Sequence, residues 1–281
     1  MTPAPASFQL NGNTRIVPML GDPIGQVKAP SGLTPALQHR GLNALVVPWH
    51  VRASDLESTL AALLTVQNVP GVVLTLPHKL DAYPLCDQTS ARAHIIGAVN
   101  VLRKNKAGGW YGDHTDGIGY LNGLRSRGFN VTDCRALVIG AGGSGSAIAW
   151  ELLEQGAQQV AIYDVDPARA KALVGRLNSL FSGKVKLSDN QPEGYDLLAN
   201  ASPAGMKPND PYPVRLEGIL PHQLLADAIT EPAVTPFLEY GTRLGCRTMN
   251  GADMFNGQVE ALADILFPET ADSYNDHHQE S

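Results

Sequence analysis

Apolar residues arrive in short runs separated by turn residues. Residues 14–21 (Thr-Arg-Ile-Val-Pro-Met-Leu-Gly) predict a short buried strand ending in a loop, and residues 44–51 predict a second strand. Ser54 then stands as helix N-cap, with Glu57 at the capping-box position and Leu56, Leu60, Leu63 and Leu64 recurring on one helical face. Residues 71–75 predict a third strand, stopped by Leu76-Pro77. Strand, helix, strand in this rhythm implies βαβ crossovers and a largely parallel sheet.

The pattern restarts in the second half. Residues 116–128 predict a helix leading out of the first domain, followed by an apolar strand over 136–139, a glycine-rich turn over 140–145 and a helix over 147–153. The next strand is expected at 159–163, further buried strands at 196–201 and 224–229, and a final helix at about 254–266. These elements predict a two-domain α/β protein. Residues 1–115 and 250–281 form an N-terminal catalytic domain, residues 116–249 a Rossmann dinucleotide-binding domain, and the last helix packs back on the first domain.

Composition narrows the function classes. With 21 Lys+Arg against 27 Asp+Glu the net charge is −6, so no cation excess is available for a polyanion. The apolar runs fall short of a membrane span, and the first ten residues carry no Lys or Arg, unlike a leader peptide. Cys86, Cys134 and Cys246 are odd in number and lack metal-ligand spacing. They read as reduced thiols, and the expected setting is cytoplasmic. The polar tail with His277 and His278 reads as a frayed terminus, so no metal is expected. The expected partner is a small molecule, not nucleic acid or membrane, on a monomer or homodimer.

Gly140-Ala141-Gly142-Gly143-Ser144-Gly145 contains G-x-G-x-x-G between a predicted strand and helix. Gly140 permits the tight turn, Gly142 lets backbone approach a pyrophosphate, and Gly145 allows close helix–strand packing. The helix N-terminus supplies N–H groups and a positive dipole end. Asp164 follows at the position where a carboxylate accepts from ribose hydroxyls and repels a 2′-phosphate. Asp166 adds a second negative charge; Arg169 could reach a phosphate, but capping or covering the adenine side suits it better, so NAD is expected in preference to NADP.

Three blocks precede this fingerprint: Thr75-Leu76-Pro77-His78-Lys79, Gly97-Ala98-Val99-Asn100 and His114-Thr115-Asp116-Gly117. Two follow it: Asn200-Ala201-Ser202-Pro203-Ala204-Gly205-Met206 and Gly251-Ala252-Asp253-Met254-Phe255-Asn256-Gly257-Gln258. In this order they resemble the shikimate/quinate dehydrogenase family over roughly residues 21–258. The resemblance implies hydride transfer between a nicotinamide cofactor and a ring alcohol, with Lys79 and Asp116 as the catalytic pair. It also implies ring-hydroxyl contacts from Thr75, Asn100 and Gln258, and a nicotinamide side lined by Met206, Gly251 and Met254. The chemistry agrees: alcohol oxidation releases a proton that the cofactor does not take, and a desolvated lysine amine can carry it.

Departures from the family pattern concentrate at the substrate end. The family's Ser-x-Ser-Pro, which holds a substrate carboxylate, is here Val27-Lys28-Ala29-Pro30. Val73, His114 and Thr230 replace an Asn, an Asn and a Tyr of the pattern. Two lost charge-assisted hydrogen bonds at ~1.5–3 kcal/mol each remove roughly 3–6 kcal/mol of carboxylate binding. The expectation is a shikimate dehydrogenase-like enzyme acting on a modified ring. Two alternatives stand beside it: a shikimate or quinate dehydrogenase whose carboxylate contacts have moved to Lys28, Ser31 or Thr34, and a dinucleotide-binding regulator without turnover.

Overall fold

A computed structural model describes residues 10–25 and 27–270. The chain divides into two compact units, the first holding the residues up to Gln88, Val101–Gly112 and those from Val259 on, the second Thr89–Asn100 and Asp113–Gln258. The second unit thus takes in residues 89–100, 113–115 and 250–258 in addition to the 116–249 stretch.

The first sheet is built from β1 (Arg15–Gly21), β2 (Ala44–His50), β3 (Gly71–Leu74), β4 (Gln88–Thr89), β5 (Val101–Lys104) and β6 (Trp110–Asp113), in the order β2-β1-β3-β5-β6-β4. β1 pairs parallel with β2 and β3, joined through α1 (Ala29–His39) and α2 (Leu56–Thr65). The sheet is not parallel throughout, because β5 runs antiparallel to β3. Helix α2 begins one residue later than its capping-box pattern suggests. A 3-10 turn at Ala53–Asp55 precedes it, and Asp55, held by Arg52 Nε at 2.8 Å, occupies the N-cap. Ser54 donates to the Asp55 carboxylate and does not cap the helix, while Leu56, Leu60 and Leu63 are buried as their spacing requires.

The second unit opens with α3 (Ala91–Ile96), capped by Ser90 accepting from Ala93 N–H and closed by Gly97 at φ 71°. Helix α4 (Asp116–Ser126) leads into a fully parallel sheet of β7 (Arg135–Ile139), β8 (Gln159–Tyr163), β9 (Val185–Leu187), β10 (Leu197–Asn200), β11 (Leu224–Asp227) and β12 (Arg247–Met249). Its order, β12-β11-β10-β7-β8-β9, reverses direction between β7 and β10. The crossovers carry α5 (Gly143–Glu154), α6 (Pro167–Asn178) and α7 (Pro236–Arg243). A crevice at such a strand-order reversal is where doubly wound sheets bind ligands. Helix α8 (Gly251–Leu266) belongs to the second unit up to Gln258 and to the first from Val259, the return that the terminal apolar pattern anticipates.

Among the described residues, no helix is long and apolar enough to cross a membrane, and no three His, Cys, Asp or Glu side chains gather as metal ligands. Cys86, Cys134 and Cys246 are free thiols, and burial pushes Cys86 and Cys134 up to about 12. His277 and His278 lie outside the described residues.

Candidate active site

The glycine-rich turn leaves β7 at the strand-order reversal. Gly140 adopts φ 106°, and a Cβ there would lie 2.8 Å from the Ala201 carbonyl oxygen, so this position requires glycine. A Cβ on Gly145 would stand 1.9 Å from the Gly140 carbonyl oxygen, which explains the third glycine of the motif. At Gly142, by contrast, an added Cβ would meet nothing, so the backbone face at the start of α5 is open. Open backbone and unshared first-turn N–H groups are what a pyrophosphate needs. The residues therefore fit a dinucleotide, with Gly142, Gly143 and Ser144 at the phosphate end.

Asp164 and Arg169 lie where the fingerprint puts them, but with other engagements. Asp164 accepts from Ala141 N–H at 2.6 Å through one oxygen and from Asp166 N–H at 2.8 Å through the other. Asp166 caps α6, accepting from Ala168 and Arg169 N–H, and its second oxygen pairs with the exposed Arg169 guanidinium at 3.4 Å. Each carboxylate is thus already held by donors of its own chain.

Asn100, Thr115, Asp116 and Gln258 form one buried network. Asn100 Nδ2 donates to Asp116 Oδ1 at 2.7 Å and to Thr115 Oγ1 at 3.0 Å. Thr115 N–H returns to Asn100 Oδ1 at 2.9 Å, and Thr115 Oγ1 donates to Gln258 Oε1 at 2.9 Å. Asp116 is 2% exposed at the first residue of α4, where a carboxylate complements the helix dipole. Its second oxygen, Oδ2, accepts from Ser144 Oγ at 2.5 Å. Thr115 belongs to this network without having been expected there; a threonine before a helical aspartate reads as a cap, and its partner Gln258 lies 143 positions away.

A second ring of contacts fixes the network. Asp113 takes a bidentate pair from Arg92, at 2.7 and 3.0 Å, and a hydrogen bond from Ser90. Burial alone would raise its carboxyl, but these donors hold it below the usual carboxylate range. The Asp113 carbonyl accepts from Asn100 N–H at 3.0 Å, so the ion pair sets the segment carrying Asn100. Close helix contacts bring in Gln258: added Cβ atoms on Gly119 and Gly257 would lie 2.5 Å from the Met254 carbonyl oxygen and 2.4 Å from the Gly119 carbonyl oxygen, respectively.

The nicotinamide-side candidates follow strands of the second sheet, Met206 in the turns after β10, and Gly251 and Met254 in the first turn of α8 after β12. Asn200 accepts from Ser202 Oγ at 2.7 Å and donates to Ala204 O and Asp227 Oδ1, ordering the turn before the half-buried Met206. Gly251 is buried, and a Cβ there would lie 2.3 Å from the Ile229 carbonyl oxygen; Met254 is buried one turn on.

Thr75 and Lys79 belong to the first unit, in the turns following β3. Thr75 N–H donates to Leu20 O at 2.9 Å, and its methyl fills the place a Gly21 side chain would take. His78 is fully buried and its Nε2 meets Val51 O at 2.8 Å, which anchors the turn presenting the half-buried Lys79. At the start of α1, Val27 is half-buried and Ala29 buried, with no hydroxyl between them. The Ser31 proton goes to Lys28 O at 2.9 Å, and Thr34 Oγ1 accepts from Val46 N–H at 3.0 Å.

Comparison with known proteins follows this geometry. The family model described as the shikimate dehydrogenase substrate binding domain matches residues 19–102, and the one described as shikimate / quinate 5-dehydrogenase matches residues 124–193. A relative from Rhodospirillum rubrum, named shikimate dehydrogenase (NADP(+)), is 33% identical over 252 residues, 87% of this chain and 89% of the relative. One from Geobacter sulfurreducens with the same name is 33% identical over 263 residues, 90% and 91% of the two chains. Among solved structures, Thermus thermophilus shikimate 5-dehydrogenase in complex with NADP(H) and shikimate has a TM-score of 0.81 and 26% identity, covering 92% of this chain and 99% of that one. The 5-ketofructose reductase of a Gluconobacter species has a TM-score of 0.80 and 26% identity, over 94% and 100%.

These names overturn the expected preference for NAD: relative after relative is named for NADP(+). The expectation treated Asp164 and Asp166 as bare charges opposing a 2′-phosphate. Their oxygens are instead engaged by backbone N–H groups, and Arg169 beside them supplies a cation. With similarity running the length of both units, the chain belongs to the shikimate dehydrogenase family of oxidoreductases.

Proposed function

We propose that this chain reversibly oxidises a secondary alcohol on a polyhydroxylated ring, with NADP(H) as the hydride partner and Lys79 as the proton carrier. The observation that carries the reading is the buried Asn100–Asp116–Gln258 network, a hydroxyl-binding set tied through Ser144 to the dinucleotide turn. The nicotinamide ring, when bound, takes or gives the hydride. The protein's part is to handle the proton and to aim the alcohol carbon. Asp116, with a donor on each oxygen, is a fixed acceptor that orients a substrate hydroxyl. Lys79, on a turn anchored by His78, takes the alcohol proton during oxidation and returns it during reduction. Thr75, Asn100 and Gln258 contact the remaining ring hydroxyls.

The substrate carries no carboxylate at the position where shikimate has one. Val27 and Ala29 offer no donors there, and two of the three groups that could stand in, Ser31 and Thr34, are tied to backbone. The likeness to a protein named 5-ketofructose reductase supports a neutral polyhydroxy ketone as the reduced-direction substrate. The test is an NADP(H)-linked assay over shikimate, quinate, carboxylate-free cyclic polyols and ketoses. Turnover is expected on carboxylate-free compounds. Efficient turnover confined to shikimate would overturn the substrate reading, and cofactor binding without turnover on any compound would favour a regulator.

A further inference from the structure

Ser144 occupies the first turn of α5, and its hydroxyl reaches out of the glycine-rich turn to the start of α4. It donates to Asp116 Oδ2 at 2.5 Å, across 28 positions of sequence. That reach exists because α4 and α5 touch backbone to side chain. A Cβ on Gly117 would lie 2.6 Å from the Ala147 carbonyl oxygen and 2.8 Å from Glu151 Cβ, so only glycine at 117 lets a side chain as short as serine bridge the helices. Asp116 therefore has Asn100 on one oxygen and the dinucleotide turn on the other.

We propose that Ser144 is a positioning residue for Asp116, making the orientation of the substrate-facing carboxylate depend on the glycine-rich turn. Donors on both oxygens fix the plane of a carboxylate more firmly than a donor on one. Because Ser144 shares the first turn of α5 with Gly143, a dinucleotide that orders this turn also orders the carboxylate. Cofactor and alcohol binding are thereby coupled without direct contact between the two ligands. This inference rests on the reading of Asp116 as a substrate-orienting group.

The test compares Ser144→Ala, Ser144→Thr and wild type, with thermal melts to establish that each is folded. For Ser144→Ala we expect kcat for the best carboxylate-free alcohol to fall about tenfold and its KM to rise, corresponding to one charge-assisted hydrogen bond, with Kd for NADP changed less than about twofold. Ser144→Thr, which keeps the hydroxyl, restores most of kcat. A variant in which only Kd for NADP moves would overturn the proposal, since Ser144 would then be a plain dinucleotide contact. A second measurement needs no turnover: the Asp116 side-chain carboxyl 13C resonance, assigned by its loss in Asp116→Asn, is expected to shift in Ser144→Ala and to shift on adding NADP to wild type. An immobile resonance in both cases contradicts the coupling. A wild type that turns over nothing refutes the functional reading, while the resonance still judges the Ser144 contact.

Discussion

Asp227 ends β11 fully buried, accepting from Ile229 N–H at 2.9 Å, Thr235 Oγ1 at 2.8 Å and Asn200 Nδ2 at 3.2 Å. Burial outweighs these donors and lifts its carboxyl from 3.8 to about 6. Between these values the folded chain holds a proton that the unfolded chain has released, so stability falls as pH rises from about 4 to about 6 and this contribution is flat above. The difference corresponds to about 3 kcal/mol. Urea unfolding of wild type and Asp227→Asn across pH 4–7 measures it: the wild type should lose stability relative to the variant through that window, and parallel curves would contradict the assignment. In the first unit, Val27→Ser with Ala29→Ser should raise kcat/KM for shikimate relative to a neutral polyol by at least about a hundredfold, the value of two charge-assisted hydrogen bonds. An unchanged ratio would show that this wall does not choose the substrate. Asn100, Asp116 and Gln258 could be singled out because each sits in a short block with its neighbours, and the structure joins them in one network. Ser144 was legible only as a loop residue, since nothing local reveals that its hydroxyl turns to a carboxylate 28 positions back. Asp164 misled for a related reason: its spacing was right, but its backbone donors are invisible in the sequence.

Helix α4 buries Tyr120, Leu121 and Leu124 in the core of the second unit, and its glycines set how closely the neighbouring helices approach. Gly117 faces α5, while Gly119 and Gly123 face the start of α8, and together they set Asp116 against Ser144 and Thr115 against Gln258. Gly117→Ala has no room without moving the Ala147 carbonyl, so it should destabilise the fold by ~1–3 kcal/mol through overpacking. Separating the helices should also break the Ser144 contact, so kcat should fall along with the melting temperature. A variant with an unchanged melt and unchanged turnover would mean that α4 and α5 sit further apart than described here. In the second sheet β7, β8, β10 and β11 were legible from their apolar runs, β8 residue for residue, whereas the three-residue strands β9 and β12 were not. The pair β5 and β6 was not, because residues 101–113 mix Arg, Lys, Asn and Gly with the apolar positions and pair antiparallel within a sheet expected to be parallel. Helix α6 was also missed, its buried Ala170, Leu173 and Leu177 being diluted among Arg and Lys.

Across the whole molecule, the second unit holds the glycine-rich turn and the Asp116 network, and the first holds Thr75 and Lys79. Fold class and family were readable because several motif blocks occur in register over nearly the full chain, and similarity to the Rhodospirillum rubrum relative spans 87% of it. The proposed reaction depends on passage of the alcohol proton through Lys79. The most direct measurement is the single-turnover rate of NADP reduction by wild type and Lys79→Ala on the best carboxylate-free alcohol, with NADP affinity measured in parallel. Loss of the proton carrier should slow the rate by about 10²–10⁴-fold while leaving the cofactor Kd nearly unchanged. A Lys79→Ala protein that reduces NADP at near wild-type rate would contradict the account.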